Sequence, residues 1–198
     1  IRSRRGGAGM SKVMREDGTI EYRSFWWDLA LPQVILPVHL GVAAVTVGWG
    51  VHRASVYPTL LGVPLGLFVW SLFEYLLHRV LLHDRRTPVI RRIFWEALHK
   101  EHHLLRTMRD PQHRGIHPSI SLPIVLAVVL CVGYASTSGA ALSIAGGWVL
   151  GYCGYEACHW LFHAGDREGR LARLGWVRRL WRAHEIHHLE RPATNYGF

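Results

Sequence analysis

A chain of 198 residues, 49% hydrophobic and with a formal net charge of +9, is long enough for one domain or a small bundle of membrane helices. Its apolar residues gather into four runs, which argues against an ordinary soluble core. Its basic residues track the loops between those runs, which argues against a nucleic-acid surface.

Residues 1–24 are polar and Gly-rich at the start, and read as a loose or surface-lying arm. This basic start has no apolar stretch of the kind a cleavable signal peptide needs. Its first residue is Ile, so further residues are expected before it. Trp26 and Trp27 stand where interface anchors would enter a first span, and Trp49 is placed likewise at its far end. Residues 29–51 form that first run, and Pro32 and Pro37 predict a kink or interruption in it. The short link His52–Ser55 makes a hairpin with the second run, 57–77. No breaker follows, so that helix is expected to project past Glu74 and His78 toward His83. Helical spacing returns over 90–106, and from Thr107 to Pro118 the chain turns irregular. The third run, 119–134, is short unless it borrows Gly, Ser and Thr from the following turn, which extends the span to about 119–137; the fourth spans 141–162. Residues 169–190 read as one basic amphipathic helix at the membrane surface. Cys131, Cys153 and Cys158 lack CxxC spacing and are expected to be reduced, packed thiols.

A helix needs about 20 apolar residues to cross the bilayer, and soluble core helices rarely stay apolar on every face for that length. The chain therefore reads as an all-α integral membrane protein with about four transmembrane helices. All but one of its 23 Lys and Arg residues precede the first run, follow the fourth, or fall in the segment joining the second and third; the exception is Arg53. The positive-inside rule then puts both termini and the central loop in the cytoplasm. Residues 78–118 and 163–198 make a cytosolic, histidine-rich helical cap on a membrane domain covering 25–198.

Ten histidines fall in four tight clusters in or beside that cap: His78 and His83; His99, His102 and His103; His159 and His163; and His184, His187 and His188. Neutral imidazole is the commonest protein ligand for transition metals, and ten in this pattern point to two ions. Positions three or four apart share a helix face, whereas neighbours such as His102 and His103 diverge by about 100° and address different ions. His78 and His83, five apart, are likewise assigned to different metals. Glu74 and Glu156 lie inside otherwise apolar spans, where a carboxylate needs a partner, and the nearby imidazole N–H of His78 or His159 supplies one. Glu101 and Glu185 sit in polar segments and are expected to be solvated or salt-bridged. His39 and His52 are placed toward the opposite membrane face. His113 and His117 lie in the central loop, where lining a substrate entrance, contacting a headgroup, adding a ligand and having no special role all remain open.

EYLLHRVLLH (74–83), HKEHH (99–103), LGYCGYEACHWLFHAG (150–165) and AHEIHHLERPATNYGF (183–198) together resemble the histidine boxes of the fatty acid hydroxylase/sterol desaturase superfamily, closest to its fatty acid 2-hydroxylase branch. Glu156 stands where that branch often has Asp. The stretch after HKEHH is longer than the family pattern, and relatives usually continue past position 198 with a further short helix. The resemblance implies a membrane dimetal enzyme whose ligands are the ten histidines. Its cofactor would be two non-haem iron ions, which zinc can replace in a purified sample, with O2 as co-substrate. Two electrons would come from a cytochrome b5-like or ferredoxin-like protein, expected to be separate from this chain. The substrate would be a fatty-acyl or related lipid hydroxylated at an unactivated C–H bond, with desaturation on the same metals as the alternative; His113, His117, Asn195 and Tyr196 are only candidates for contact with substrate or its entrance. Membrane lipids are expected as partners and nucleic acid is not. A metal transporter fits less well because the clusters gather at one end of the spans, and a haem anchor leaves the HxxHH doublets unexplained.

Overall fold

The computed structural model describes residues 10–14, 20–24, 32–54, 56–83, 87–99, 103, 118–136, 138–165 and 167–194. Where a loose arm was expected, β1 (Met10–Met14) and β2 (Ile20–Ser24) pair antiparallel, with Met10 opposite Ser24 and Met14 opposite Ile20. Everything else described is helix, turn or short connection.

Each of the four apolar runs carries one long helix: α1 (Pro32–Ala54), α2 (Val56–Leu76), α4 (Pro118–Ala135) and α5 (Gly139–Ala164). The expected interruption of the first is absent. α1 runs unbroken through Pro37, which lies near the helix start, where Pro32 also sits at the first position and needs no N–H partner. α2 continues as a π-wound segment, Leu77–Leu82, so the combined helix spans 27 residues. α3 (Pro88–Ile90) likewise runs into a π-wound segment, Arg91–His99. A 3-10 turn at Leu171–Arg173 precedes α6 (Gly175–Glu185), which ends in a third π-wound segment, Ile186–Glu190. The single helix expected over 169–190 is thus broken at Leu174, whose extended backbone (φ −71°, ψ 124°) caps the start of α6.

Pro32–Ala54 and Val56–Leu82 are long and apolar enough to cross a membrane, and Ile120–Ala135 adds a shorter apolar stretch. Only 28% and 22% of the two long apolar windows are buried, whereas core helices of soluble proteins hide most of theirs. Tyr57, Leu60, Leu61 and Phe68 all point outward, as lipid-facing side chains do.

The core forms around α5. Ala145, Trp148, Val149 and Tyr152 are buried against Ile35 and Ala43 of α1, Trp70 of α2, and Val125 and Val129 of α4. Close approach of α2 and α5 depends on glycine. A Cβ at Gly147 would stand 2.2 Å from the Val63 carbonyl oxygen, and one at Gly66 would be 2.1 Å from that of Ile144. α2, which leads into His78 and His83, and α5, which carries His159 and His163, are thereby held in a fixed register. Of the cysteines, Cys153 is buried and Cys158 half-buried, but Cys131 is exposed on the outer face of α4 rather than packed.

Candidate metal centre

Nine of the ten clustered histidines are described, and they converge in two groups. His78, His83, His99, His103 and His187 form the first, and His159, His163, His184 and His188 the second; within each, the ligand atoms lie within 4.8 Å of one another. His102 lies outside the described residues, as do His113, His117, Asn195 and Tyr196.

His78 and His83 stand in the same group, which corrects the expectation that five-residue spacing divides them. In an α-helix a residue five positions on is about 140° around the axis. The π-wound turn reduces that offset to one like that between α-helical positions four apart, because its hydrogen bonds link positions five apart. The His83 N–H accordingly donates to the His78 carbonyl at 3.2 Å, and the two rings are 5.0 Å apart. Adjacent His187 and His188 do divide, one to each group, while His184 joins His188 four residues on. The groups touch where His103 stacks on His188, with centroids 4.3 Å apart and an interplanar angle of 11°.

In the first group the Nε2 atoms meet: His78 to His99 at 3.1 Å, His83 to His99 at 3.1 Å, His83 to His187 at 3.2 Å, His103 to His99 at 2.9 Å and His187 to His103 at 3.1 Å. In the second, His184 Nε2 is 3.0 Å from His163 Nε2. A neutral imidazole has only one N–H, so such a ring of nitrogens cannot be satisfied by internal hydrogen bonds alone. Nitrogens bound side by side to one divalent transition metal, at about 2.1 Å each, stand about 3.0 Å apart. The donor set therefore fits such an ion in both groups.

A hydrogen bond and an ion-pair contact orient two of the rings for ligation. His187 Nδ1 donates to the Thr194 carbonyl at 2.7 Å, leaving its Nε2 lone pair for the group. His78 Nδ1 faces buried Glu74 Oε1 at 3.5 Å, which is where the expected carboxylate partner belongs. Glu156, also buried, lies one turn before His159 on α5, beside Tyr152 and Tyr155. Burial, followed by the charge of neighbouring imidazoles, holds His99 and His184 well below the usual histidine range. The same causes push His188 down, and burial with His78 brings His187 to about 4. Such rings stay neutral at physiological pH and keep their lone pairs for a cation.

Sequence reasoning missed three residues. The Thr194 carbonyl is one. Trp95 is another, packing 5.7, 6.0 and 5.9 Å from His83, His99 and His103. Tyr155, 5.3 Å from His159, is the third. Spacing carried a signal for the last two, since each precedes a clustered histidine by four residues. His39 was placed too far away: it is fully buried, bonds through Nδ1 to the Ile35 carbonyl at 2.8 Å, and packs 4.9 Å from Tyr152, one turn before Glu156. His52 is exposed near the far end of α1. Glu185 is salt-bridged as expected, pairing with Arg167 and, at 3.7 Å, with Arg182.

An apolar helical bundle whose one end gathers two all-histidine groups defines a class of helical protein with a paired candidate metal centre. The chain belongs to the fatty acid hydroxylase family, whose profile matches residues 63–198. It is 28% identical over 144 residues to the dihydroceramide fatty acyl 2-hydroxylase FAH1 of Arabidopsis thaliana, covering 70% of this chain and 55% of that protein. It is 29% identical over 188 residues to the ceramide very long chain fatty acid hydroxylase SCS7 of Saccharomyces cerevisiae, covering 88% of this chain and 43% of that protein. The chain thus spans about half the length of these relatives. The hydroxylase domain visible in a structure of full-length Scs7p superposes with a TM-score of 0.68 at 23% identity, over 88% of this chain and 65% of that one. That likeness shows a shared fold.

Proposed function

We propose that this protein is a multi-pass membrane hydroxylase that inserts oxygen from O2 into an unactivated C–H bond of a fatty-acyl lipid, using two iron ions and two electrons. The observation that carries this reading is the convergence of nine imidazoles into groups of five and four at one end of an apolar bundle, in a chain of the fatty acid hydroxylase family. Relatives named as fatty acyl and ceramide hydroxylases support the substrate class.

His78, His83, His99, His103 and His187 would hold one iron and His159, His163, His184 and His188 the other, with His102 completing the set. Bound there, the irons supply the redox chemistry that activates dioxygen. The protein's own residues do the rest. Thr194 and Glu74 orient His187 and His78 by engaging their Nδ1 atoms. Phe162, Val177 and Trp181 form a buried apolar cluster beside His184 that keeps water from the second group. α1, α2, α4 and α5 are read as four spans, and the charge asymmetry sets the histidine end in the cytoplasm, where a separate electron donor reaches it. Exposed Arg178, Arg179 and Arg182 line a depression of about 420 Å³ on α6 at that end, suited to an acidic donor or to anionic headgroups.

Lipidomics of cells with and without the protein tests the reading. A gain of one oxygen on an acyl chain is expected. Loss of two hydrogens would replace hydroxylation by desaturation, and an unchanged lipid profile would refute both.

A further inference from the structure

Beyond the histidines, a second set of rings runs from the metal centre into the bundle. Tyr155 stands between His159, at 5.3 Å, and Trp70 of α2, at 6.2 Å. Trp70 is a hub, 5.0 Å from Trp148 and 5.4 Å from Tyr152, so each step is a ring contact. Phenylalanine would fill these positions without burying a phenol hydroxyl or an indole N–H, and Phe73 does so 5.7 Å from the same Trp70. What tyrosine and tryptophan have, and phenylalanine lacks, is a one-electron oxidation within reach of a strongly oxidising metal centre. Buried Glu156, next to Tyr155 in the chain, lies within electrostatic range of it and offers a carboxylate to take the phenolic proton.

We propose that Tyr155, Trp70 and Trp148 form an electron-supply path that quenches the metal centre when dioxygen is activated with no lipid in place, sparing the imidazole ligands from oxidation. The proposal rests on the dioxygen-activating reading above. In the first step Tyr155 gives one electron to the oxidised centre and its phenolic proton to Glu156, leaving a neutral phenoxyl radical. Trp70 then donates one electron to that radical, which takes the proton back. The indole radical cation is refilled through Trp148 and finally by an external one-electron donor of the class that hydroxylation itself requires. Two such passages, added to the two electrons that primed the centre and four protons from solvent, reduce O2 to two waters with no lipid oxidised.

The test uses the full chain loaded with iron, reduced and exposed to O2 in lipid nanodiscs without substrate. Freeze-quenched electron paramagnetic resonance reads the radical, and peptide mass spectrometry reads histidine oxidation. The wild type should show an organic radical whose lines narrow after growth on ring-deuterated tyrosine or tryptophan. In Trp70→Phe only the tyrosine label should narrow the signal, and oxidised metal-site histidine should rise several-fold while hydroxylation of supplied lipid is retained. Tyr155→Phe should give no radical and the same rise in histidine oxidation. Trp148→Phe, further from the centre, should prolong the tryptophan signal, which guards against a folding defect in the other variants. Iron binding and O2 consumption without an aromatic radical, or equal histidine oxidation in all four proteins, would overturn the path alone. Iron binding with no O2 consumption would overturn the hydroxylase reading, and the path with it.

Discussion

Substituting Gly147 by Ala should separate α2 from α5 and loosen the metal centre from a distance. The added Cβ would lie 2.2 Å from the Val63 carbonyl oxygen and 2.9 Å from Val63 Cα, whereas ordinary contact begins at 3.4 Å. Both obstacles are backbone, so no rotamer change relieves the clash, and the helices must part locally by about 1.2 Å. A gap of 0.5–1 Å already forfeits roughly a quarter to a half of each dispersion contact across an interface. Overpacking of this kind costs about 1–3 kcal/mol, or roughly 2–12 °C in melting temperature for a chain of this size. The effect reaches the histidines because α2 leads into His78 and His83 while α5 carries His159 and His163, and ligand distances tolerate only about ±0.2 Å. Melting temperature and iron content of purified Gly147→Ala should therefore both fall. Gly154→Ala is the internal control: it lies on the same helix, and a Cβ there meets nothing within 4 Å. Indistinguishable melting and iron content in the two variants would refute the close-packing argument.

Further outcomes follow from the site. Replacing His188 by Ala should leave three described ligands in the second group, drop bound metal toward one ion per chain and abolish lipid oxidation; a full metal complement would remove His188 from the ligand set. Glu74→Gln keeps the shape but weakens the hold on His78 Nδ1, and metal affinity measured by chelator competition should fall about 10–100-fold. The metal-free protein should lose stability as pH falls from about 6.5, where unfolded histidines begin to bind protons, toward the value of about 4 at His187. Its sign is fixed because the unfolded chain binds more protons than the folded one throughout that window. A melting temperature equal or higher at pH 5 than at pH 7.5 would contradict the burial of neutral imidazoles.

Hydrophobic runs and histidine spacing made much of this molecule legible, because span length and helical repeat are local properties of the chain. Adjacent positions such as His187 and His188 diverge around a helix, so their division was legible in spacing, but which of the two joins His184 was not. The pairing of His78 with His83 was hidden by π winding, a departure from that repeat which the letters HRVLLH do not announce. His39 was misjudged for another reason. Its depth depends on where α1 starts and how it leans on α5, and Tyr152 meets it from a helix more than a hundred positions away. The break at Leu174 inside an otherwise continuous amphipathic pattern was equally invisible, since apolar periodicity carries across a capped turn. Thr194 acts through its backbone carbonyl, a group every residue has.

The segment from α6 to its π-wound end serves both histidine groups, giving His187 to the first and His184 and His188 to the second. A nascent chain emerging from the ribosome therefore cannot complete either group until residues 184–188 are made, however early α1 and α2 fold. On the proposed chemistry metal capture waits for this segment, and a product stalled before His184 is left unable to complete either site.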